Sequence, residues 1–387
     1  MMKRALFIAS WDIGHVRDLL TNLGGKIGDN ILIDAFDTSR NNEYSEIEYI
    51  HSSYHVEYGR IARTLLPVRK LGVFVHYYLV FKQLNYILKH NTYNYAAIVS
   101  VPSYTWIYVK LLHRYRVKVH LVPIGSDVLR STRITRFFLR KSFKQADLVN
   151  CSRGNAVGEM VVNYYRVPQN KLILCGLGSN IITALNHQKK NVFTKEYMAK
   201  QLGIPLGTYV IACGYAGNKE QQHKAMLKAI AENRELLPHG YQVIVQLTYG
   251  SDKEILYSEL SALAKELDLN VVFLRSFLTI ETMVILRNYV DLFIHVQTTD
   301  GYNFSLQEYL LAGAQCINGS WLQYPKLEQT IAPYHKCERI HDLPDLIGGI
   351  LTGKIPLMML PDDTKKEIIR RDWDVVVESW KRAIDKV

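Results

Sequence analysis

Residues 291–319 read DLFIHVQTTDGYNFSLQEYLLAGAQCING. An apolar run, DLFIHVQ, leads into a small and polar turn; SLQEYLLAG follows with the apolar spacing of a helix, and AQCING is a second apolar run. Strand, helix and strand in succession are the building unit of an α/β fold with a parallel sheet. The turn also places an acid, Asp300, just before the helix, and a second, Glu308, about a turn and a half inside it.

The alternation extends outward in both directions. TYVIACG, YQVIVQLT and NVVFLRS precede this unit as strands, with helices expected near 219–235, 252–267, 279–288 and 304–313. The first half repeats the pattern with RALFIAS, NILIDAF, YAAIVSV, VKVHLVP, ADLVNC and KLILCG, and with helix-compatible segments near 60–90, 104–115, 128–145 and 153–165. The fold class is therefore α/β, with two doubly wound parallel domains. Residues 176–194 lack a clear period and are rich in Gly, Ser, Asn and Lys, so the interdomain linker is placed there. Expected bounds are 1–180 for the first domain and 181–360 for the second. Residues 361–387 are expected to form a long amphipathic helix that needs a surface to pack on, with Ile368, Trp373, Val376, Val377 and Trp380 at helical spacing.

A chain of 387 residues with a hydrophobic fraction of 48% can fill two cores. Its net charge of +11 points to an anionic partner, whether nucleic acid, a membrane surface or a phosphorylated substrate. Cys151, Cys175, Cys213, Cys316 and Cys337 lie scattered at the ends of apolar runs, which reads as a reducing, cytoplasmic setting. The longest apolar stretch, residues 71–81, is too short to span a bilayer, so any membrane association is expected to be peripheral.

Open α/β sheets bind ligands beyond the carboxyl ends of their strands, which is where candidate residues are expected. In CGYAGNKEQQH, Gly214 and Gly217 occupy a strand-to-helix turn, where backbone amides and the full charge of Lys219 would suit a phosphate. Packing explains such glycines equally well. The amides of Asn303, Phe304 and Ser305 offer a second anion pocket at a helix start, with Asp300 and Glu308 able to accept hydrogen bonds from sugar hydroxyls. An N-capping Asp300 and a surface Glu308 also fit that spacing. Tyr215 and Tyr249 stand just beyond strand ends, as flanks for a base or diphosphate or as packing residues.

Asp12, Gly14 and His15 follow the first strand, placing a possible general base on the acceptor side, or a histidine that only caps the next helix. Asp127 reads as a further acceptor-side residue or an N-cap.

The run from Asp300 to Glu308 resembles the E-x7-E segment of family-four glycosyltransferases, which have the GT-B fold: two facing Rossmann-like domains and a final helix crossing back to the first. KQLGIPLGTYVIACGYAGNK, VPIGSDVLR, KQADLVNCSRGNAVGEM and NKLILCGLGSN resemble other parts of that family. Asp300 replaces the usual glutamate, Asn303 stands where glycine is common, and GLGSN replaces Asn-Gly-Val-Asp. The resemblance implies a nucleotide-diphosphate sugar as co-substrate, with no further cofactor; no metal is expected, because the lone D-x-D, Asp372 and Asp374, falls on the final helix rather than after a strand. It also implies sugar contact by Asp300, diphosphate contact by Lys219 and the intervening amides, and ribose contact by Glu308. SWDIGHVRD, GYAGNKEQQH, QLTYGSDKEILYSEL and FLTIETMVILRNYVDLFI resemble a second GT-B family, the enterobacterial 4-acetamido-4,6-dideoxygalactose transferases, which act on polyprenyl-diphosphate-linked acceptors. Family four retains the anomeric configuration and the second family inverts it.

The resulting expectation is a glycosyltransferase with His15, Asp300 and Lys219 as catalytic candidates, acting on an oligosaccharide or lipid-linked acceptor in surface polysaccharide synthesis. Retention is the first reading. Inversion with His15 as base, a nucleotide-sugar epimerase and a non-catalytic partner subunit are the alternatives. Arg130, Arg133, Arg136, Arg140, Lys141 and Lys144 fall on one broad side of an expected helix, suited to anionic lipid or to plain solvation. No recognised nucleic-acid module accompanies the charge. Asp372 and Asp374 read as surface charge, and His51 and His55 lack the glutamate of an HExxH motif.

Overall fold

The computed structural model describes residues 2–12, 14–40, 47–129, 131–151, 156–188, 193–300, 303–329 and 331–386. The chain divides into two compact units, Met1–Gly178 with Trp373–Val387, and Ser179–Asp372.

The first unit carries β1 (Lys3–Ala9), β2 (Ile31–Asp37), β3 (Ser52–His55), β4 (Tyr95–Val99), β5 (Lys118–Val122), β6 (Leu148–Asn150) and β7 (Leu172–Ile173). They pair in parallel in the order β3-β2-β1-β4-β5-β6-β7. Its helices are α1 (Gly14–Lys26), α2 (Arg60–Leu65), α3 (Arg69–His90), α4 (Thr105–Arg114), α5 (Ser126–Leu129), α6 (Arg133–Gln145) and α7 (Ala156–Glu159). The second unit carries β8 (Val210–Cys213), β9 (Gln242–Gln246), β10 (Val271–Leu274), β11 (Leu292–His295), β12 (Gln315–Gly319) and β13 (His335–Cys337), parallel in the order β10-β9-β8-β11-β12-β13. Its helices are α8 (Asn180–His187), α9 (Lys195–Leu202), α10 (His223–Glu232), α11 (Lys253–Glu266), α12 (Ile280–Tyr289), α13 (Phe304–Ala312), α14 (Leu343–Leu351) and α15 (Asp362–Ile369). A last helix, α16 (Trp373–Asp385), belongs to the first unit.

Both sheets have helices on two faces, so the central strands are buried throughout, as in YAAIV of β4 and QVIVQ of β9. In the first unit, one face packs Val80, Leu84, Leu112, Leu139 and Phe143 from α3, α4 and α6. The other packs Leu19 and Leu23 of α1 with Val376, Val377 and Trp380 of α16. Trp380 donates from Nε1 to the Gly176 carbonyl at 2.9 Å, and Lys26 pairs with Asp374. In each sheet the strand order reverses once, between β1 and β4 and between β8 and β11. A ligand crevice opens beyond the carboxyl ends at such reversals.

Four sequence expectations change. β3 (SSYH) and β13 (HKC) are edge strands with no apolar run to announce them. The stretch assigned to the linker contains α8, capped by Ser179, whose side chain accepts from the Ile182 amide. The expected single C-terminal helix is two, α15 and α16, and the second unit reaches Asp372 rather than 360, because Ile368 joins that unit's core. Asp372 is buried rather than surface charge: it accepts from Thr183 Oγ1 at 3.1 Å, Asn186 Nδ2 at 2.8 Å and His187 Nε2 at 3.0 Å, fixing the end of the unit to α8.

All five cysteines are buried thiols. Among the described residues no helix is long and apolar enough to cross a membrane.

Three buried histidines make stability pH-dependent. Burial holds the imidazoles of His76 at about 4, His120 at about 3 and His223 at about 4. In the unfolded chain each titrates near 6.5. As pH falls below that value the unfolded state takes up protons that the folded state refuses, so stability drops from about pH 6.5 down toward 4. Each histidine contributes on the order of 1.4 kcal/mol per pH unit within its window. Urea midpoints at pH 7.5 and pH 4.5 are expected to differ by several tenths molar or more; equal midpoints would contradict neutral burial.

Candidate active site

The reversal between β8 and β11 brings two turns together in the second unit. Gly214 donates its amide to the Ile294 carbonyl at 3.1 Å and Thr298 donates to Glu220 at 2.9 Å. Gln297 Oε1 accepts from Gln221 Nε2 at 2.7 Å and from the Tyr215 hydroxyl at 3.3 Å, while its carbonyl accepts from Trp321 Nε1 at 2.7 Å. The turn after β8 and the turn after β11 thus form one surface.

Lys219 lies in a short 3₁₀ turn, Lys219–Gln221, before α10 rather than in the helix itself. Its side chain is exposed and makes no hydrogen bond or ion pair among the described residues. The glycines are packing residues. A Cβ on Gly217 would lie 2.6 Å from Lys253 Cβ, and Gly214 has φ +62° with Gln221 Oε1 2.6 Å from where its Cβ would be. The amides of Gly214, Tyr215, Gly217 and Lys219 are all spent internally, on Ile294, Gln221, Tyr249 and Asp252. The expected amide cradle is therefore largely closed, and the ammonium of Lys219 is what this turn offers an anion. Tyr215 is half-buried, and burial raises its hydroxyl pKa. Tyr249 is more exposed, its ring 6.4 Å from that of Phe277.

Asp300 is not the helix cap. Asn303 is: its Oδ1 accepts from the Leu306 amide at 2.7 Å. Asn303 Nδ2 lies 2.9 Å from Nε2 of His295, whose Nδ1 lies 2.8 Å from Asn318 Oδ1. His295 is fully buried, which lowers its pKa against the opposing charge of Asp300. A neutral ring accepting at Nε2 and donating from Nδ1 satisfies both neighbours. Asp300 keeps 14% of its side chain exposed, accepts from the Tyr324 hydroxyl at 2.7 Å and lies 3.6 Å from His295 Nε2. It is an acid held in place by a tyrosine and partly exposed. Phe304 begins α13 and packs on the core, and Ser305 Oγ accepts from Arg287 at 3.3 Å. Gly301 and Tyr302 lie outside the described residues.

Glu308 is buried, correcting the surface alternative. Its Oε1 accepts from Ser179 Oγ at 2.8 Å and its Oε2 from Arg287 Nε at 3.0 Å. Arg287 is itself 1% exposed, donates to Gln246 Oε1 at 3.1 Å and lies over the Tyr309 ring. Burial works against its charge, but Tyr309 and Glu308 more than offset that and raise its pKa.

His295, Arg287, Gln246, Gln297 and Ser179 escaped the sequence reading. The signal was present as polar residues inside apolar runs, LFIHV, VIVQ and VILR, since a polar group on a buried position requires a partner.

In the first unit, Asp12 is exposed after β1, with Ser10 Oγ at 3.4 Å. Gly14 and His15 begin α1, but their side-chain positions lie outside the described residues, as does Arg130. Asp127 accepts from the amides of Val101 and Gly125 at 2.8 Å, Val128 at 3.1 Å and Ile124 at 3.2 Å. Burial raises its pKa and these amides oppose the rise. Its carboxylate joins the ends of β4 and β5, and Asp127 is the second residue of α5 rather than its N-cap. Asp37, missed in the sequence, plays a similar part as the last residue of β2, accepting from the Trp11 amide at 3.1 Å and from Ser39 Oγ at 2.7 Å. On α6, Arg133, Arg140, Lys141 and Lys144 are exposed and Arg136 is half-buried.

Comparison of the sequence with protein-family models and with curated proteins gives no match. Solved structures do match over the whole chain. HepE of Anabaena in complex with UDP and glucose has a TM-score of 0.71 at 13% identity, covering 100% of both chains. The lipopolysaccharide outer core galactosyltransferase WaaB has 0.66 at 13%, covering 99% of each. WaaG, a glycosyltransferase involved in lipopolysaccharide biosynthesis, has 0.65 at 14%, covering 98% of this chain and 99% of its own. The fold is GT-B. Within this GT-B chain, the exposed lysine and the tyrosine-held aspartate occupy the strand reversal of the second unit.

Proposed function

We propose that this GT-B protein is a glycosyltransferase that moves a sugar from a nucleotide-diphosphate donor to a glycan or lipid-linked acceptor in surface polysaccharide synthesis. The observation that carries the reading is the union of the Lys219 turn and the Asp300 turn at one strand reversal, in a chain with the fold of HepE, whose structure holds UDP and glucose.

The donor diphosphate lies beside Lys219 and the start of α13, and Asp300 accepts hydrogen bonds from the sugar. As the glycosidic bond to the diphosphate breaks, negative charge grows on the departing oxygen, and the preplaced ammonium stabilises it. This assigns charge neutralisation to the chain's own groups rather than to a divalent ion, and turnover unchanged by EDTA checks the assignment. Tyr215 and Tyr249 flank the nucleotide. Glu308 already accepts from Ser179 and Arg287, so it acts chiefly by fixing α13, with any ribose contact made through its remaining lone pairs. Retention is the primary stereochemical reading; inversion would call on His15 as base. The setting is the cytoplasmic face of a membrane, with α6 toward anionic lipid.

Thermal shift with a panel of nucleoside diphosphates and their sugars tests the reading. A fitting donor at about 100 times its Kd adds about 2.7 kcal/mol, which moves Tm by roughly 5–10 °C for a unit of this size. No shift with any nucleotide would defeat it. Nucleoside diphosphate release that requires an acceptor separates transfer from epimerisation, which needs no second sugar.

A further inference from the structure

The first unit has one helical layer in which α3, α4 and α6 pack on the same side of the sheet. Residues 58–146, which supply this layer, contain sixteen Lys and Arg but a single acid, Asp127. That carboxylate is occupied by backbone amides. The segment carries +15, more than the +11 of the whole chain. Of the acids next to it, Asp147 is engaged by His113 at 2.9 Å and Lys118 at 3.8 Å and Glu159 by Asn163, while Glu57 is exposed just before the segment begins.

The layer is not only basic. On α3, Leu71, Phe74 and Tyr78 recur at three- and four-residue spacing and are 46%, 73% and 65% exposed, while Val80, Leu84 and Ile87 of the same helix fill the core. Ile61 of α2 and Val68 between the helices continue the stripe, 78% and 51% exposed. A helix with a second, outward apolar stripe and no acid has an unpartnered face.

We propose that the α2–α3 stripe inserts into the headgroup and acyl boundary of an anionic bilayer, with the cations of α4 and α6 pairing with lipid phosphates around it. Charge complementarity selects this occupant. A second copy of the chain would bring two strongly basic layers together, and nucleic acid would leave Leu71, Phe74 and Tyr78 in water. An amphipathic element with apolar residues on one side and Lys and Arg about it is the recognised form of an interfacial anchor. Lys110 and Lys141 lie over the Trp106 ring at 5.0 and 5.3 Å, an aromatic and cationic group of the kind that settles at headgroup depth. The inference extends the membrane part of the proposed function and stands apart from its donor chemistry.

The test is flotation of the full chain with vesicles of phosphatidylcholine containing 30% phosphatidylglycerol, and with phosphatidylcholine alone, at low salt and at 0.5 M NaCl. Wild type should float with anionic vesicles only, and a fraction should stay bound at high salt because insertion is not screened. The double variant Leu71→Ser, Phe74→Ser should lose at least tenfold in partitioning, and all of its salt-resistant fraction, with Tm unchanged because both residues are exposed. Partitioning of that variant equal to wild type overturns the proposal. So does self-association of the wild type that the variant abolishes, without vesicle binding. A chain that floats but binds no nucleotide would defeat the transferase reading and leave this inference intact.

Discussion

Glu308→Ala is expected to destabilise the protein by about 3–5 kcal/mol, a larger effect than any loss of ligand contact would suggest. The cause is Arg287. Its guanidinium is 1% exposed and is bonded to Glu308, Gln246 and Ser305, so removing the carboxylate leaves a charge inside the second unit with no counterion. Ser179 loses its acceptor at the same time, and with it the tie between α8 and α13. Urea unfolding followed by circular dichroism reads the cost. The double variant Glu308→Leu, Arg287→Met removes both charges and is expected to recover much of the loss, giving a strongly non-additive cycle. Additive losses would mean that the pair is not coupled. Glu308→Ala is consequently a poor probe of nucleotide binding, since weakened affinity would follow from a disturbed α13 alone.

Lys219→Ala is expected to do the reverse: activity falls and stability holds. Its side chain is exposed and without partners among the described residues, so truncation should change stability by no more than about 0.5 kcal/mol. If it faces the departing diphosphate, removing it should lower kcat by about 10²- to 10³-fold, the usual cost of losing one preorganised donor to developing negative charge. Lys219→Arg, which keeps the charge, should retain part of the rate. Turnover of Lys219→Ala within threefold of wild type would remove the lysine from the mechanism.

Much of the architecture was legible because parallel strands covered on both faces must be apolar along their length, and runs such as YAAIV and LFIH announce themselves. What stayed hidden had weak local signals. SSYH and HKC are strands by virtue of their neighbours, since an edge position asks little of its own residues. The helix after Ser179 reads as linker until its serine is recognised as a cap with Ile182 buried three residues on. The helices α15 and α16 share one amphipathic pattern, and only packing shows that Ile368 and Trp373 enter different cores. At the candidate site, spacing left Asp300, Glu308 and Lys219 open between ligand contact and plain structural roles, and the resemblance to GT-B families singled them out. Their environments depended on partners distant in sequence: Tyr324, Arg287 and Ser179. Residue type at a turn suggests which chemistry is possible, whereas the separation of an open acid from a buried one is a tertiary fact.

The helix Trp373–Asp385 completes a core whose other members lie before residue 179. During synthesis the early segments must therefore wait while 179–372 is translated, on the order of 10–40 s at cellular elongation rates. The later-made unit, whose segments are contiguous, can close first. Until then the β1 face destined for Trp380 and Val376 stays uncovered, making the nascent first unit a natural client for chaperones that hold greasy sheet surfaces.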